Sequence, residues 1–203
     1  RFLQDFTVTD IMGEGSFGCV FKAENHYDTW KYAVKRIAVD ATGDMVEKSL
    51  HEVRVMAQLD HHNIVRYNST WIEEPPIYWQ YDKDEEILKR IRSSKRRLMN
   101  IDRDCVFIYI QMQWLTMNET IFSLNLSILK YWFKELISAI AYIHHKGLIH
   151  QDLKPSNILF TDEGRLKVCD LGISAERQIE NGVEVAVTRT SIGTRLYMSP
   201  EQV

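Results

Sequence analysis

His150-Gln151-Asp152-Leu153-Lys154-Pro155-Ser156-Asn157 brings a carboxylate, an ammonium group and a carboxamide together in one short polar segment. The residues on both sides of it predict regular structure. Apolar side chains recur at helical spacing over residues 128–144, and Gly147 is placed to end that helix. Its predicted apolar side consists of Leu129, Trp132, Phe133, Leu136, Ile137, Ile140 and Ile143. Short strands are predicted at Ile158–Phe160 and Leu166–Val168, so the polar segment is expected on a loop between a helix and a strand.

A glycine cluster lies near the N-terminus. Residues 13–20, Gly-Glu-Gly-Ser-Phe-Gly-Cys-Val, fit the pattern GxGxxGxV. Residues 6–37 alternate between apolar and polar positions, with turn signals that predict three antiparallel strands. In a dinucleotide-binding fold a helix would follow the glycines, whereas here a strand is predicted. A glycine hairpin tip can lay its backbone N–H groups over phosphates, although a plain glycine-rich hairpin also fits the pattern.

Two further charges fit a phosphate site. Lys35 lies on the third predicted strand, where an ammonium group can hold the α and β phosphates of a nucleotide. Glu52 lies on a helix predicted over residues 46–59 and can pair with Lys35. Taken singly, each is more simply explained as a surface charge. Their order along the chain favours the phosphate site.

Together these segments resemble protein kinases, whose catalytic loop reads HRDLKxxN. Asp170-Leu171-Gly172 is similar to the DFG segment of that family, and Ser199-Pro200-Glu201 to its APE segment. The resemblance covers essentially the whole chain and implies an α+β, bilobal kinase fold. Residues 1–112 would form a first lobe with an antiparallel sheet and one key helix, and residues 113–203 the hinge and a mainly helical, incomplete second lobe.

The resemblance implies a Ser/Thr protein kinase that uses ATP and Mg²⁺. Asp152 would orient the substrate hydroxyl and accept its proton, Lys154 would steady the γ-phosphate, and Thr194 would bridge these two. Asn157 and Asp170 would bind magnesium. The nucleotide would be held by Ile11, Gly13, Glu14, Gly15, Ser16, Phe17, Gly18, Val20, Ala33, Lys35, Glu52, Met112, Gln113, Leu115 and Leu159. For the aliphatic members, simple core packing is the alternative.

A narrower resemblance rests on residues 62–67, 110–113 and 193–202. They are similar to kinases of the alpha subunit of translation initiation factor 2, and Trp71-Ile72-Glu73-Glu74-Pro75-Pro76 looks most like the PERK branch, which responds to endoplasmic reticulum stress. This implies that factor as protein substrate, a possible homodimer through the first lobe, and a cytosolic domain whose parent protein is anchored in the endoplasmic reticulum membrane.

Composition and charge indicate which classes of binding partner are not favoured. The formal net charge of -3 does not favour nucleic acid, and the apolar runs are too short to contact a membrane as a spanning helix. Three scattered cysteines and seven histidines, without a metal-binding motif, do not favour zinc. Residues 75–104 change from acidic to basic and are interpreted as a solvent-exposed insertion between strands, partly helical or disordered. A docking role is the alternative to a solvated loop.

Two features differ from the kinase pattern. Gln151 replaces the arginine of HRD, which puts control by activation-loop phosphorylation in doubt, and Leu171 replaces the phenylalanine of DFG. The sequence ends at Val203, where kinase domains continue through further helices, so we expect a truncated domain. The alternative function is therefore an inactive, kinase-like module for nucleotide binding or dimerisation.

Overall fold

The structure, a computed structural model, describes residues 1–15, 18–40, 43–90, 105–115, 125–171, 175–176, 178–180, 183–185 and 195–197. The chain divides into two compact units, residues 1–53 with 67–114, and residues 54–66 with 115–203. Residues 54–66 thus group with the second unit, although residues 67–114 of the first unit separate them from the rest of it in the chain. The α+β fold class is confirmed.

The first unit is built on an antiparallel sheet, as the alternating pattern of its residues predicts. Among the described residues five strands form this sheet in the order β1-β2-β3-β5-β4. The elements of this unit are α1 (Phe2–Asp5), β1 (Phe6–Gly15), β2 (Gly18–Asn25), β3 (Lys31–Asp40), α2 (Gly43–Ala57), β4 (Tyr67–Glu73), α3 (Ile77–Arg90) and β5 (Cys105–Gln113), except that residues 54–57 of α2 group with the second unit. The three N-terminal strands predicted from the sequence are confirmed.

The two faces of the sheet differ in chemistry because side chains alternate along each strand. One face, here called the aromatic face, carries Phe21, Trp71, Phe107 and Tyr109 in a buried cluster. Phe2 of α1 covers it, with its ring centroid 4.8 Å from that of Tyr109. The opposite face, here called the lysine face, carries Val20, Ala33, Lys35, Ile110 and Met112.

Helix α3 covers the aromatic face, which corrects the prediction of a solvent-exposed insertion for residues 77–90. Gln80, Asp84 and Ile87 follow one another at helical spacing, and each is at most 6% exposed. The Asp84 carboxylate accepts two 2.8 Å hydrogen bonds from the guanidinium group of Arg36 on β3. It also accepts a 2.7 Å bond from the Gln80 amide. The prediction that the insertion is partly helical is confirmed, whereas residues 91–104 lie outside the described part.

The second unit contains the predicted long helix and the strands around the polar loop. Its described elements are α4 (Leu126–His145), β6 (Leu148–Ile149), a 3₁₀ turn (Pro155–Asn157), β7 (Ile158–Phe160), β8 (Leu166–Val168), β9 (Ala175–Glu176), β10 (Gln178–Glu180), β11 (Val183–Val185) and a second 3₁₀ turn (Arg195–Tyr197). The Asn125 side chain caps α4 by accepting a 2.9 Å bond from the Ile128 N–H. Gly147, with a φ of 75°, follows the helix as predicted.

The buried side of α4 differs from the apolar side that the sequence predicts. Ile143 is buried, but Leu129, Phe133 and Ile137 are exposed by 47%, 62% and 52%. Glu135 is buried instead, at 7% exposure. Apolar residues surround so much of this helix that their spacing alone does not indicate which side packs inward.

Candidate active site

The glycine segment forms the tip of the β1–β2 hairpin. Gly15 pairs with Gly18, and strand β2 begins at Gly18 itself, which excludes the strand-to-helix turn of a dinucleotide-binding fold. Gly18 has a φ of 121°, and a Cβ atom there would lie 2.1 Å from the Arg36 carbonyl oxygen. This position therefore requires glycine. Ser16, Phe17 and the Glu14 side chain lie outside the described part, whereas Gly13 lies on β1.

The lysine face brings four predicted nucleotide-binding side chains together. Lys35 pairs directly with Val20 on β2, and Ala33 pairs with Met112 on β5. Directly opposed residues in a sheet point to the same face and lie close together. Lys35 is only 7% exposed, so most of this residue is shielded from solvent. Glu52 lies on α2, but its side chain is outside the described part, and its pairing with Lys35 stays a prediction.

Ile11 lies on the wrong face for the predicted adenine contact. It pairs with Phe21 and belongs to the aromatic cluster, at 2% exposure. The register between β1 and β2 shifts on both sides of Ile11, and such a shift changes which residues share a face. Met12, half-buried at the second shift, is the better candidate for this end of the pocket. The sequence analysis named only Ile11 here, and the strand register shows that Ile11 lies on the aromatic face.

The segment after β5 carries the remaining residues predicted to contact adenine. Met112 and Gln113 end β5 and are half-buried, and Leu115 is 6% exposed. Trp114 lies between Gln113 and Leu115, and the Lys22 ammonium group lies 4.8 Å from the centroid of its ring. This cation–π contact connects the segment to β2. Leu159 is half-buried in β7 of the second unit. The contacts of these residues with adenine stay predictions.

The polar loop gathers three predicted catalytic and metal-binding side chains in the second unit. The Lys154 ammonium group lies 2.6 Å from Oδ2 of Asp152. The Asn157 amide nitrogen donates 2.9 Å to the Asp152 carbonyl oxygen and 3.2 Å to its Oδ2. Asp152 and Asn157 are 6% and 5% exposed. The loop thus holds one carboxylate by a cation and an amide. Thr194 lies outside the described part.

His150 connects this loop to the segment that carries Asp170. The Asp152 N–H donates 3.3 Å to Nδ1 of His150, so the proton of the neutral ring is on Nε2. Nε2 then donates 3.1 Å to the Cys169 carbonyl oxygen, next to Asp170. Burial lowers the pKa of His150, more than the bond to Cys169 and the nearby carboxylates raise it. Sequence reasoning included His150 only as part of the motif.

Asn157 and Asp170 both lie at the open end of the β7–β8 hairpin, one before its first strand and one after its second. Asn157 immediately precedes β7, and Asp170 follows β8 with a φ of 61°. The Cys169 N–H donates 2.9 Å to the Asn157 carbonyl oxygen and closes the hairpin between them. The structure therefore brings the two predicted metal ligands to one end of one hairpin.

Comparison with known proteins identifies the family. A model of the protein kinase domain matches residues 6–203. The chain belongs to the protein kinase domain family. It is 34% identical over 209 residues to the interferon-induced, double-stranded RNA-activated protein kinase of Mus musculus, covering 100% of this chain and 36% of that protein. It is 30% identical over 193 residues to the serine/threonine-protein kinase Nek1 of Mus musculus, covering 94% of this chain and 14% of that protein.

A third relative matches part of this kinase domain. Eukaryotic translation initiation factor 2-alpha kinase 3 of Rattus norvegicus is 45% identical over 89 residues, which cover 44% of this chain and 8% of that protein. The chain spans about a third of the length of the double-stranded RNA-activated relatives that it matches. In the described part, no helix is both long and apolar enough to cross a membrane.

The ligands that the kinase family implies fit the side chains of the loop. The described residues contain no group of three or more His, Cys, Asp and Glu side chains that could hold a metal ion. Magnesium does not need such a group, because it is commonly bound by one or two protein oxygens together with phosphate oxygens and water. Since the Asn157 amide nitrogen faces Asp152, the Asn157 Oδ1 atom is turned away from Asp152. This Oδ1 atom and the Asp170 carboxylate are both hard oxygen donors, the kind that magnesium prefers.

The lowered pKa of His150 predicts that acid destabilises the kinase domain. Below the ordinary histidine pKa of about 6.5, the unfolded chain takes up a proton that the buried ring does not, so the free energy of unfolding falls. One such histidine contributes at most about 1.4 kcal/mol per pH unit. Urea denaturation between pH 8 and pH 5 measures this. We expect a smaller acid loss in His150→Gln, and an equal loss in both proteins would contradict the assignment.

Proposed function

We propose that this domain is a Ser/Thr protein kinase that transfers the γ-phosphate of ATP to the alpha subunit of translation initiation factor 2. The arrangement of Asp152, Lys154 and Asn157 supports the transfer reaction. A carboxylate held beside an ammonium group can orient a hydroxyl group next to a phosphate, which is the main requirement of phosphoryl transfer. The family match over residues 6–203 and the 34% sequence identity to a protein kinase over the whole chain support the same reaction.

Asp152 acts as the catalytic base in this proposal. Its carboxylate accepts the hydrogen bond of the substrate hydroxyl and takes the proton as the oxygen attacks the γ-phosphorus, while the bond from that phosphorus to the β–γ bridging oxygen breaks and ADP leaves. The Lys154 cation at 2.6 Å favours the ionised carboxylate, and the same ammonium group can reach towards the transferred phosphate. Asn157 keeps the Asp152 carboxylate in place through its amide nitrogen. The loop therefore supplies both the base and the cation from one short segment.

The nucleotide and the metal are held by further side chains together with Asn157. Asn157 Oδ1 and the Asp170 carboxylate hold magnesium, which when bound offsets the negative charge of the phosphates. Lys35, directed by Glu52, holds the α and β phosphates under the glycine hairpin. Met12, in place of Ile11, joins the apolar residues Val20, Ala33, Met112, Leu115 and Leu159 around adenine, with Gln113 and Leu115 as backbone partners. Thr194 bridges Asp152 and Lys154.

The substrate proposal rests on sequence similarity. One relative is named for the alpha subunit of the initiation factor, and it is 45% identical over the 89 residues that match. Residues 193–202 resemble the kinases of that factor. Within the group we favour the branch that responds to endoplasmic reticulum stress, because of the Trp-Ile-Glu-Glu-Pro-Pro segment at residues 71–76. A cytosolic domain of a membrane-anchored parent and a homodimer through the first unit are part of this proposal.

Transfer of radiolabelled phosphate from ATP with magnesium tests the proposed function. We expect the chain to label the recombinant alpha subunit faster than a generic basic protein, and chelation of magnesium to abolish labelling. Lys35→Met should remove most of the labelling, because it removes a buried cation from the lysine face. Labelling of the generic protein alone would contradict the substrate, and nucleotide binding without labelling of any protein would support the inactive module.

A further inference from the structure

We propose that Glu135 of α4 is a positioning residue for the two magnesium ligands, Asn157 and Asp170. It acts through the β7–β8 hairpin, by holding the backbone of Leu166, and touches neither the metal nor the nucleotide. The inference rests on the proposed function, since it concerns the metal site of that same reaction. It explains why a carboxylate occupies the buried side of a helix whose exposed side carries Leu129, Phe133 and Ile137.

The register of the hairpin sets the distance between the two ligands. Ile158 pairs with Val168, so Asn157 and Cys169 face each other across the open end of the hairpin. The Cys169 N–H donates 2.9 Å to the Asn157 carbonyl oxygen, and Asp170 follows directly. Any slip or tilt of β8 against β7 therefore moves the Asp170 carboxylate relative to the Asn157 amide.

Strand β8 is held along its second edge by a short segment of the same unit. Val65 N–H donates 2.9 Å to the Val168 carbonyl oxygen, and Val168 N–H donates 2.8 Å to the Asn63 carbonyl oxygen. At Leu166 the backbone pairing is replaced by side chains. The Asn63 amide donates 2.9 Å to the Leu166 carbonyl oxygen, and the Leu166 N–H donates 2.7 Å to Oε2 of Glu135.

Glu135 is itself fixed in place. The Tyr131 hydroxyl group donates 2.8 Å to Oε1, which leaves Oε2 directed at Leu166. One turn away on α4, the Trp132 indole N–H donates 2.9 Å to the Gly164 carbonyl oxygen in the hairpin turn. The Trp132 ring also packs 4.5 Å from that of Phe160 on β7. The helix thus contacts the turn and both strands, and Glu135 supplies the contact to β8.

Packing alone would not need a carboxylate here, but the Leu166 N–H needs an acceptor, and Glu135 supplies it. A leucine of similar size could fill the buried space beside the hairpin, but it could not accept the Leu166 N–H, which would be left without a partner. The bond to an ionised acceptor is also shorter and stronger than a bond to a neutral one. Outer groups that orient metal ligands commonly change metal affinity by about 10–100-fold when they are replaced.

The test compares Glu135→Leu with Glu135→Gln and with Ile143→Ala in the full chain. Glutamine can still accept the Leu166 N–H, whereas Ile143 is fully buried on the same helix without a bond to the hairpin, so its replacement reduces stability alone. Binding of Mn²⁺ with a non-hydrolysable ATP analogue is measured by electron paramagnetic resonance, at a temperature where circular dichroism shows each variant folded. Amide hydrogen exchange of residues 166–170 is measured without metal.

We expect Glu135→Leu to weaken Mn²⁺ binding by about 10-fold or more and to speed exchange of residues 166–170. Glu135→Gln and Ile143→Ala should bind Mn²⁺ like the wild type, although Ile143→Ala melts at a lower temperature. Wild-type Mn²⁺ affinity in Glu135→Leu, with only a lower melting temperature, would overturn the inference and leave the proposed function intact. A wild-type chain that binds no Mn²⁺ with the nucleotide would instead contradict the proposed function and the inference with it.

Discussion

Asp152→Asn is expected to lower the rate of phosphoryl transfer by about 10³-fold, the usual contribution of a general base. The asparagine amide has nearly the shape of the carboxylate, and its oxygen can still accept from Lys154, so the loop should keep its geometry. It cannot take the proton of the substrate hydroxyl. Single-turnover rates with radiolabelled ATP at saturating magnesium measure the loss directly, because they exclude product release.

The control for this change is Asp162→Asn. Asp162 lies exposed in the turn between β7 and β8 of the same unit, so the same loss of one negative charge occurs away from the polar loop. We expect this variant to transfer phosphate at the wild-type rate, and both variants to keep wild-type ATP affinity, since neither residue is a proposed ligand of the metal or the nucleotide. Near-normal transfer by Asp152→Asn would show that another group takes the proton.

The parts of the site that could be predicted from the sequence are those that depend on local spacing. The polar loop lies between α4 and β7 because a strong helical pattern, a glycine and a short apolar run follow one another in the chain. The glycine hairpin could be predicted for the same reason. Asp152, Lys154 and Asn157 are close together in sequence, so a single turn suffices to bring them into contact.

The sequence does not predict as well which face of the sheet each side chain of β1 occupies. Ile11 and Met12 are both apolar neighbours of the first glycine, and either fits an adenine pocket by composition. The shifts in register before and after Ile11 decide which of them faces Phe21. Such irregularities depend on pairing with a partner strand, and the alternating pattern of one strand does not reveal them.

Buried polar residues were the other source of error. Among the side chains of α3 that the structure describes, Gln80, Asp84 and Ile87 are buried, and Gln80 and Asp84 look like surface residues in the sequence. Glu135 in α4 has the same property. Polar residues are buried when a partner satisfies them, and here the partners are Arg36 and the Leu166 N–H, which are distant in the chain. A hydrophobic pattern cannot show a partner of this kind.

Asp84→Asn is expected to lower the free energy of unfolding by about 3 kcal/mol or more, because it leaves the Arg36 guanidinium group buried without its counter-ion. Arg36 is 3% exposed and lies 5.1 Å from the ring centroids of both Phe21 and Phe107. Burial alone lowers the pKa of Arg36, but the two hydrogen bonds and the charge of Asp84 raise it by more, so the pKa lies above its ordinary value. The arginine therefore stays charged, and the aromatic rings offset only part of the loss.

The control for Asp84→Asn is Glu86→Gln on the same helix. Glu86 pairs with Lys83 at 2.8 Å, but its side chain is 63% exposed, so removing its charge should leave the urea midpoint almost unchanged. The double change Arg36→Met with Asp84→Leu should recover most of the stability lost in Asp84→Asn, because it removes both buried charges and keeps the volume beside Phe21. If Asp84→Asn unfolds at the wild-type urea concentration, α3 does not depend on the ion pair, and apolar contacts such as that of Ile87 hold it on the aromatic face.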